Sequence, residues 1–168
     1  QLRDVDRGGD WTWHGPGQLV AYPIVALAGW GLDVPAFVAG LETAMVEVAR
    51  RALLRIELDP GRLGRRPGYP GCWLWGPAGL VKLGAVGVHV RRFVSLHGLA
   101  LNLDPDPWGF AHIVPCGLAE PTSSLGRLAR AAGRDPSLLP TVAEAGAWIA
   151  ELLPRCWGGE VGAAEALD

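Results

Sequence analysis

The stretch Cys72–Leu103, CWLWGPAGLVKLGAVGVHVRRFVSLHGLALNL, decides the fold. Cys72–Trp75 and Leu80–Val90 read as two strands, and Gly76-Pro77-Ala78-Gly79 between them is a hairpin signal. Phe93–Leu103 follows as a third strand, so the segment is an antiparallel meander. Upstream, Asp59–Gly71 is turn chemistry and arginine throughout and predicts an exposed loop. Before it, Asp33 offers an N-cap to a helix whose apolar positions Phe37, Leu41, Met45, Val48 and Ala52 recur at helical spacing. Arg50, Arg51 and Arg55 stand toward its C-terminal end, where cations suit the helix dipole. Gln18–Val25 reads as a buried strand. Leu2–Asp6 reads as the end of another, with turns at Arg7–Asp10 and His14–Gly17. Downstream, Asp104–Gly109 turns the chain and Phe110–Val114 leads into Pro115-Cys116-Gly117. Thr141 and Glu144 form a capping box ahead of Val142, Ala145, Trp148, Ile149 and Leu152, in a helix expected to stop at Pro154. Strands, a helix, a meander and further helices make an α+β fold with a largely antiparallel mixed sheet flanked by helices.

At 168 residues the chain suits one domain, and neither repeats nor a linker divide residues 1–168. A net charge of −2 excludes a large basic surface for nucleic acid. Hydrophobic content of 49% with eight Trp argues for a packed core despite 24 Gly and 14 Pro. Trp11–Leu32 contains no Asp, Glu, Lys or Arg, but its Gly and Pro residues break it up, so a membrane span is rejected. Cys72, Cys116 and Cys156 are odd in number, widely separated and without a CxxC pair, so neither a disulfide framework nor a metal site follows. A cytoplasmic protein is expected.

Arginine so outnumbers lysine that Lys82 is the only lysine. It sits in Leu80–Val88, a segment otherwise apolar or glycine. One reading is an edge-strand lysine whose stem carries its ammonium to water. The other is a partly buried amine whose charge stabilises a nearby anion, a task arginine performs poorly because it is bulkier and holds its proton. Cys116, between Pro115 and Gly117, is the natural partner. Cysteine attacks as thiolate, an adjacent ammonium favours that form, and the following glycine permits close approach of a carbonyl. The alternative for Cys116 is a buried, inert thiol. His14 and His97 head Gly-containing segments, and His112 precedes Cys116 by four residues. The Gly-rich turns near Arg7 and His14 match no P-loop or dinucleotide fingerprint.

In order along the chain, these segments resemble a known family. Arg7-Gly8-Gly9-Asp10-Trp11-Thr12-Trp13-His14-Gly15-Pro16-Gly17-Gln18 resembles the R-G-G-x-x-T-[YW]-H-G-P-G-Q block of the lipoyl(octanoyl) transferases of lipoate biosynthesis. Lys82–Gly87 resembles their K-x-x-x-[IVL]-G strand, His97–Asn102 their H-G-[FL]-A-L-N block, and Phe110–Gly117 their F-x-x-I-x-P-C-G block. The resemblance covers most of residues 3–125. It implies the fold of the biotin/lipoate protein ligases and a two-step acyl transfer without cofactor or metal. Cys116 would take an octanoyl group from acyl carrier protein as a thioester and pass it to the ε-amino group of a lysine on a lipoyl domain. The lipoyl domains of 2-oxoacid dehydrogenases and the glycine cleavage H protein are the acceptors it implies. Lys82 would lower the Cys116 pKa and then give or accept the acceptor's proton. Arg7, Gly8, Gly9, Asp10, Trp11, Thr12, Trp13 and His14, with Ala85, Val86, Gly87, Gly98, Leu99 and Ala100, would line the substrate site, with His97 as a further candidate. Trp11 and Gly84 depart from the family pattern without removing a chemical group. The family has further residues before the R-G-G block, so the chain is read as N-terminally incomplete, and as a monomer. Three other functions compete: ATP-dependent lipoate attachment, which does not use a cysteine nucleophile; a cysteine hydrolase using Cys116 with His97 or His112; and an inactive lipoyl-domain-binding fragment.

Overall fold

The helix predicted after Asp33 forms as α1, Val34–Arg55, with the Asp33 carboxylate accepting from the Ala36 amide at 2.7 Å and Pro35 in the first turn. Its apolar stripe of Phe37, Leu41, Met45, Val48 and Ala52 is fully buried. What it lies against is a sheet of five antiparallel strands in the order β1-β5-β4-β3-β2. These are β1 (Gln18–Ala21), β2 (Arg62–Arg66), β3 (Tyr69–Gly76), β4 (Gly79–Arg91) and β5 (Val94–Asn102). A computed structural model of the chain describes residues 5–9, 12–76, 79–106, 109 and 120–167. Two short helices follow the sheet in sequence order, α2 (Leu125–Ala131) and α3 (Val142–Trp157). α1 crosses one face of the sheet against β2 through β5, and α3 packs beside it against β1. The fold is therefore α+β, and among the named strands every pairing is antiparallel.

The meander forms as read, with Gly76 opposite Gly79 across the predicted hairpin and β5 beginning at Val94. Four expectations need correction. Asp59–Gly71 is not a loop: Arg62–Arg66 is the edge strand β2, and Tyr69 already belongs to β3. Its arginines lie over aromatic rings, Arg62 on Trp75 at 5.9 Å and Arg66 on Tyr69 at 4.2 Å. The outer edge of β2 is covered by the C-terminal segment, the Arg65 amide donating to the Glu165 carbonyl at 2.8 Å and the Leu167 amide to the Arg65 carbonyl at 2.7 Å, partners that residue types taken one by one do not reveal. Gly61 and Gly68 hold the positive φ that the flanking turns need. The strand predicted over Gln18–Val25 ends at Ala21, because Pro23 lacks a ladder donor. Ser95 binds the departing chain, its hydroxyl donating to the Pro23 carbonyl at 2.7 Å and accepting from the Val25 amide at 3.0 Å.

The final helix passes through Pro154 to Trp157. Pro154 removes one donor in the last turn, and Trp157 holds that turn down. Its indole stacks on Phe37 at 5.3 Å and donates to the Phe37 carbonyl at 3.3 Å. Gly40 makes room for it, since a Cβ there would stand 2.3 Å from the Trp157 ring. Val5 and Asp6, from the strand expected over Leu2–Asp6, carry no strand pairing; residues 1–4 lie outside the described residues.

Candidate active site

Glycine spacing in the central strands determines where a ligand fits. On β4, a Cβ at Gly84 would stand 2.5 Å from the Met45 sulfur of α1, so that position faces the helix layer. Gly87, three residues on, faces the other side, where Arg7 and Gly8 cross the sheet. The Gly8 amide donates to the Val88 carbonyl at 3.0 Å and fastens this crossing. Between crossing and sheet lies an open groove of about 400 Å³, much of it continuous with solvent. Its floor is Ala85, Val86 and Gly87 of β4 with Gly98, Leu99 and Ala100 of β5. Its sides are Arg7, Gly8, Gly9, Thr12, His14 and Tyr22.

All of these but Tyr22 are sequence-predicted lining residues, and the structure brings them together around one space. Trp13 is not among the walls; its ring lies against Gly15 and Gly109 instead. Asp10, Trp11, His112 and Cys116 lie outside the described residues. His97 is not among the groove's lining residues. Its Nε2–H donates to the Asp6 carboxylate at 2.9 Å, and its ring meets Tyr22 edge-on at 5.6 Å. The His89 Nδ1–H donates to the Asp6 carbonyl at 3.0 Å. Two histidines thus hold the residue just before the Arg7–Gly9 crossing, and the hydrogen bond from His97 draws the Asp6 carboxyl below its usual range. Tyr22 was missed because nothing around it marks chemistry; it enters the site only because β1 ends at Ala21.

Lys82 is in the middle strand of the sheet, not at an edge, and is 6% exposed. Cys72 pairs with Gly84 and Trp73 with Lys82, so Leu83 has no residue opposite it. This bulge reverses the side-chain alternation. Without it Lys82 would share the face of Gly84, toward Met45. With it Lys82 shares a face with Trp73, its Nζ 5.1 Å from the ring centroid. Its stem passes over Gly71, where a Cβ would stand 3.0 Å from the Lys82 Cε. Gly71 is the cross-strand partner of Ala85, on the groove floor. The ammonium is thus tucked beside one end of the groove.

The charge of Lys82 acts on two carboxylates. It helps hold Glu120 below the usual range, an effect led by a main-chain hydrogen bond and by the Arg66 guanidinium at 2.5 Å. It also acts on Glu42 of α1, which burial pushes upward while the Gly71 amide (3.0 Å), Arg65 and Lys82 pull the other way. β5 does not extend alongside Lys82. The main chain of Pro121–Ser123 takes that place: the Lys82 amide donates to the Pro121 carbonyl at 3.0 Å, and the Ser123 amide donates to the Lys82 carbonyl at 2.9 Å. Among the described cysteines, burial pushes the Cys72 thiol up, with Glu42 adding to it, and pushes Cys156 up as well. Neither is a nucleophile in this setting. The described residues hold no His/Cys/Asp/Glu group able to bind a metal ion.

Residues 1–141 match the model of the lipoyl protein ligase A/B catalytic domain. An octanoyltransferase of Gloeobacter violaceus is 44% identical over 129 residues, which are 76% of this chain and 53% of that protein. An octanoyltransferase of Mycobacterium sp. strain KMS is 48% identical over 132 residues, 74% of this chain and 52% of that protein. The chain thus spans about half the length of the relatives it matches. The solved biotin protein ligase of Aquifex aeolicus shares the fold, with a TM-score of 0.53 over 84% of this chain and 55% of that one, at 11% identity. With the biotin protein ligase-like architecture and the family match over most of its length, the chain belongs to the lipoyl protein ligase A/B catalytic domain family.

Proposed function

We propose that residues 1–168 form a single catalytic domain that moves an octanoyl group from acyl carrier protein, through a thioester on Cys116, to a lipoyl-domain lysine. The observation that carries this reading is the setting of Lys82. A buried ammonium, on β4 three residues before the groove-floor residue Ala85, is flanked by Pro121–Ser123, the stretch that begins five residues after Cys116. A thiolate next to that ammonium is favoured by opposite charge in a poorly hydrated place. In the first step the thiolate attacks the octanoyl thioester of the carrier, its carbon–sulfur bond breaks, and the carrier thiol leaves. In the second, the lysine amine of a lipoyl domain displaces Cys116 and an amide forms. The narrow floor of Ala85, Gly87, Gly98 and Ala100 suits an unbranched aliphatic chain. Arg7, Gly8, Gly9, Asp10, Trp11, Thr12 and His14 border the acyl chain in this reading. Support also comes from the relatives named octanoyltransferase. The acceptors would be the lipoyl domains of 2-oxoacid dehydrogenases and the glycine cleavage H protein, and the site of action the cytoplasm, with the enzyme a monomer. No helix among the described residues is long and apolar enough to cross a membrane.

Intact-protein mass spectrometry after incubation with octanoyl-acyl carrier protein tests this. Wild type should gain one octanoyl group and Cys116→Ala none. An adduct that persists in the variant, or a wild type that gains none, would turn the reading to ATP-dependent ligation, hydrolysis or simple lipoyl-domain binding.

A further inference from the structure

A chain of buried amides leads from the strand beside Lys82 to the groove. The Asn102 Nδ2 donates to the Ser123 carbonyl at 3.0 Å, the Gln18 Nε2 donates to the Asn102 Oδ1 at 2.8 Å, and the Gln18 Oε1 meets the His14 Nδ1 at 2.7 Å. Gln18 is 6% exposed and Asn102 3%. The direction of the chain is set at its inner end. A main-chain carbonyl only accepts, so Asn102 offers its NH2 to Ser123 and its oxygen to Gln18. Gln18 then donates with Nε2 and accepts with Oε1. Turning either amide over would bring like groups face to face in a buried place. The Nδ1 of His14 must therefore be the donor, so a neutral imidazole carries its proton there and an unshared pair on Nε2. His14 is exposed on the groove wall, and its Nε2 makes no hydrogen bond among the described residues.

We propose that this amide chain holds His14 in the Nδ1–H tautomer so that its Nε2 takes a proton from the lysine ammonium that receives the acyl group. The proposal rests on the acyl-transfer reading above. An acceptor lysine carried on another protein reaches the groove from its exposed side, where His14 stands, while Lys82 is buried and is not among the groove's lining residues. The ammonium gives one proton to Nε2, leaving a neutral amine and an imidazolium. The amine attacks the Cys116 thioester carbonyl, the carbon–nitrogen bond forms and the carbon–sulfur bond breaks. The departing sulfur takes the second proton from nitrogen, giving amide and thiol, and the imidazolium returns its proton to water. Lys82 then keeps its charge through both halves of the reaction. His14 is the catalytic group here, and Gln18 and Asn102 are positioning residues.

Two measurements on the full chain test this. Nitrogen-15 NMR of the imidazole, at a pH where it is neutral, should show His14 protonated on Nδ1. Gln18→Leu should release that preference. In single-turnover transfer from preformed octanoyl enzyme to a lipoyl domain, His14→Gln and Gln18→Leu should slow amide formation on the order of 10²-fold. An Nε2–H tautomer in wild type, or transfer by His14→Gln at the wild-type rate, overturns the proposal. A wild type that forms no thioester overturns the acyl-transfer reading and the proton role with it, while the NMR result decides the tautomer separately.

Discussion

The space around Lys82 is matched to an unbranched amine. Its Cε passes over Gly71, its Nζ stands 5.1 Å from the Trp73 ring centroid, and the main chain of Pro121–Ser123 closes the remaining edge. A guanidinium is wider and planar, so it cannot place its charge where the compact ammonium sits. Lys82→Arg is therefore expected to leave the far-UV circular dichroism unchanged while slowing octanoyl-adduct formation on Cys116 on the order of 10²-fold. A near wild-type rate would show that any fixed cation suffices. Gly87 makes a second prediction at this scale. A Cβ there would stand 2.9 Å from the Gly8 carbonyl oxygen and 3.0 Å from the Arg7 Cδ. In Gly87→Val the added side chain pushes the Arg7–Gly9 crossing away from the sheet as well as occupying the groove, so some thermal stability should be lost. The KM for the octanoyl donor should rise at least about tenfold, as one or two lost methylene contacts would cost. An unchanged KM would place the acyl chain elsewhere.

Single elements owe their positions to short polar attachments. The capping box of α3 forms as its spacing predicts: the Glu144 amide donates to the Thr141 hydroxyl at 3.2 Å, and the Thr141 amide donates back to the Glu144 carboxylate at 2.8 Å. That amide, with the Arg55 guanidinium and the Thr141 hydroxyl, holds the Glu144 carboxyl down to about 2 from an ordinary 4.5. A carboxyl lowered on folding stabilises the fold fully above its unfolded value and loses that contribution as pH falls through the native one. The window is thus from pH 4.5 down to about 2. Glu144→Gln should flatten the acid loss of stability in that window, measured by denaturant titration at pH 6 and pH 3. An equally steep loss would assign it to other carboxylates. Thr141→Ala, which removes the cap, should cost about 1 kcal/mol at pH 6 and less at pH 3, because its hydroxyl also binds the ionised Glu144 carboxylate. This box was legible because both partners lie within four residues. β2 was not, because its arginines lie over aromatic rings and pair with Glu120 and Glu165, partners far along the chain.

At the scale of the molecule, α1 is the common support, touching four strands on one side and α3 on the other. Leu41 lies at its middle with no exposed surface. Leu41→Ala should destabilise the chain by about 2–5 kcal/mol, read as a drop in denaturation midpoint without change in slope. A loss under about 1 kcal/mol would mean that the core collapses around the cavity. The groove lies on the face of the sheet away from α1, so the same variant should bind the octanoyl donor normally wherever it remains folded.

Local pattern alone determined the meander, the capped amphipathic helices and the α+β class, because strand alternation, helical spacing and turn chemistry act between neighbours. It also singled out Lys82, since a lone charge in an apolar strand is visible in sequence. The tertiary structure decided which way that lysine points. One unpaired residue, Leu83, turns it from the helix layer to the face shared with Trp73, and a bulge depends on how two strands pair, which neither strand encodes alone. The same holds for His14, whose proton is positioned through Gln18 and Asn102 by a carbonyl at Ser123. Those residues meet only because β1 and β5 pair edge to edge, and hydrogen-bond direction is a property of the assembled chain of partners.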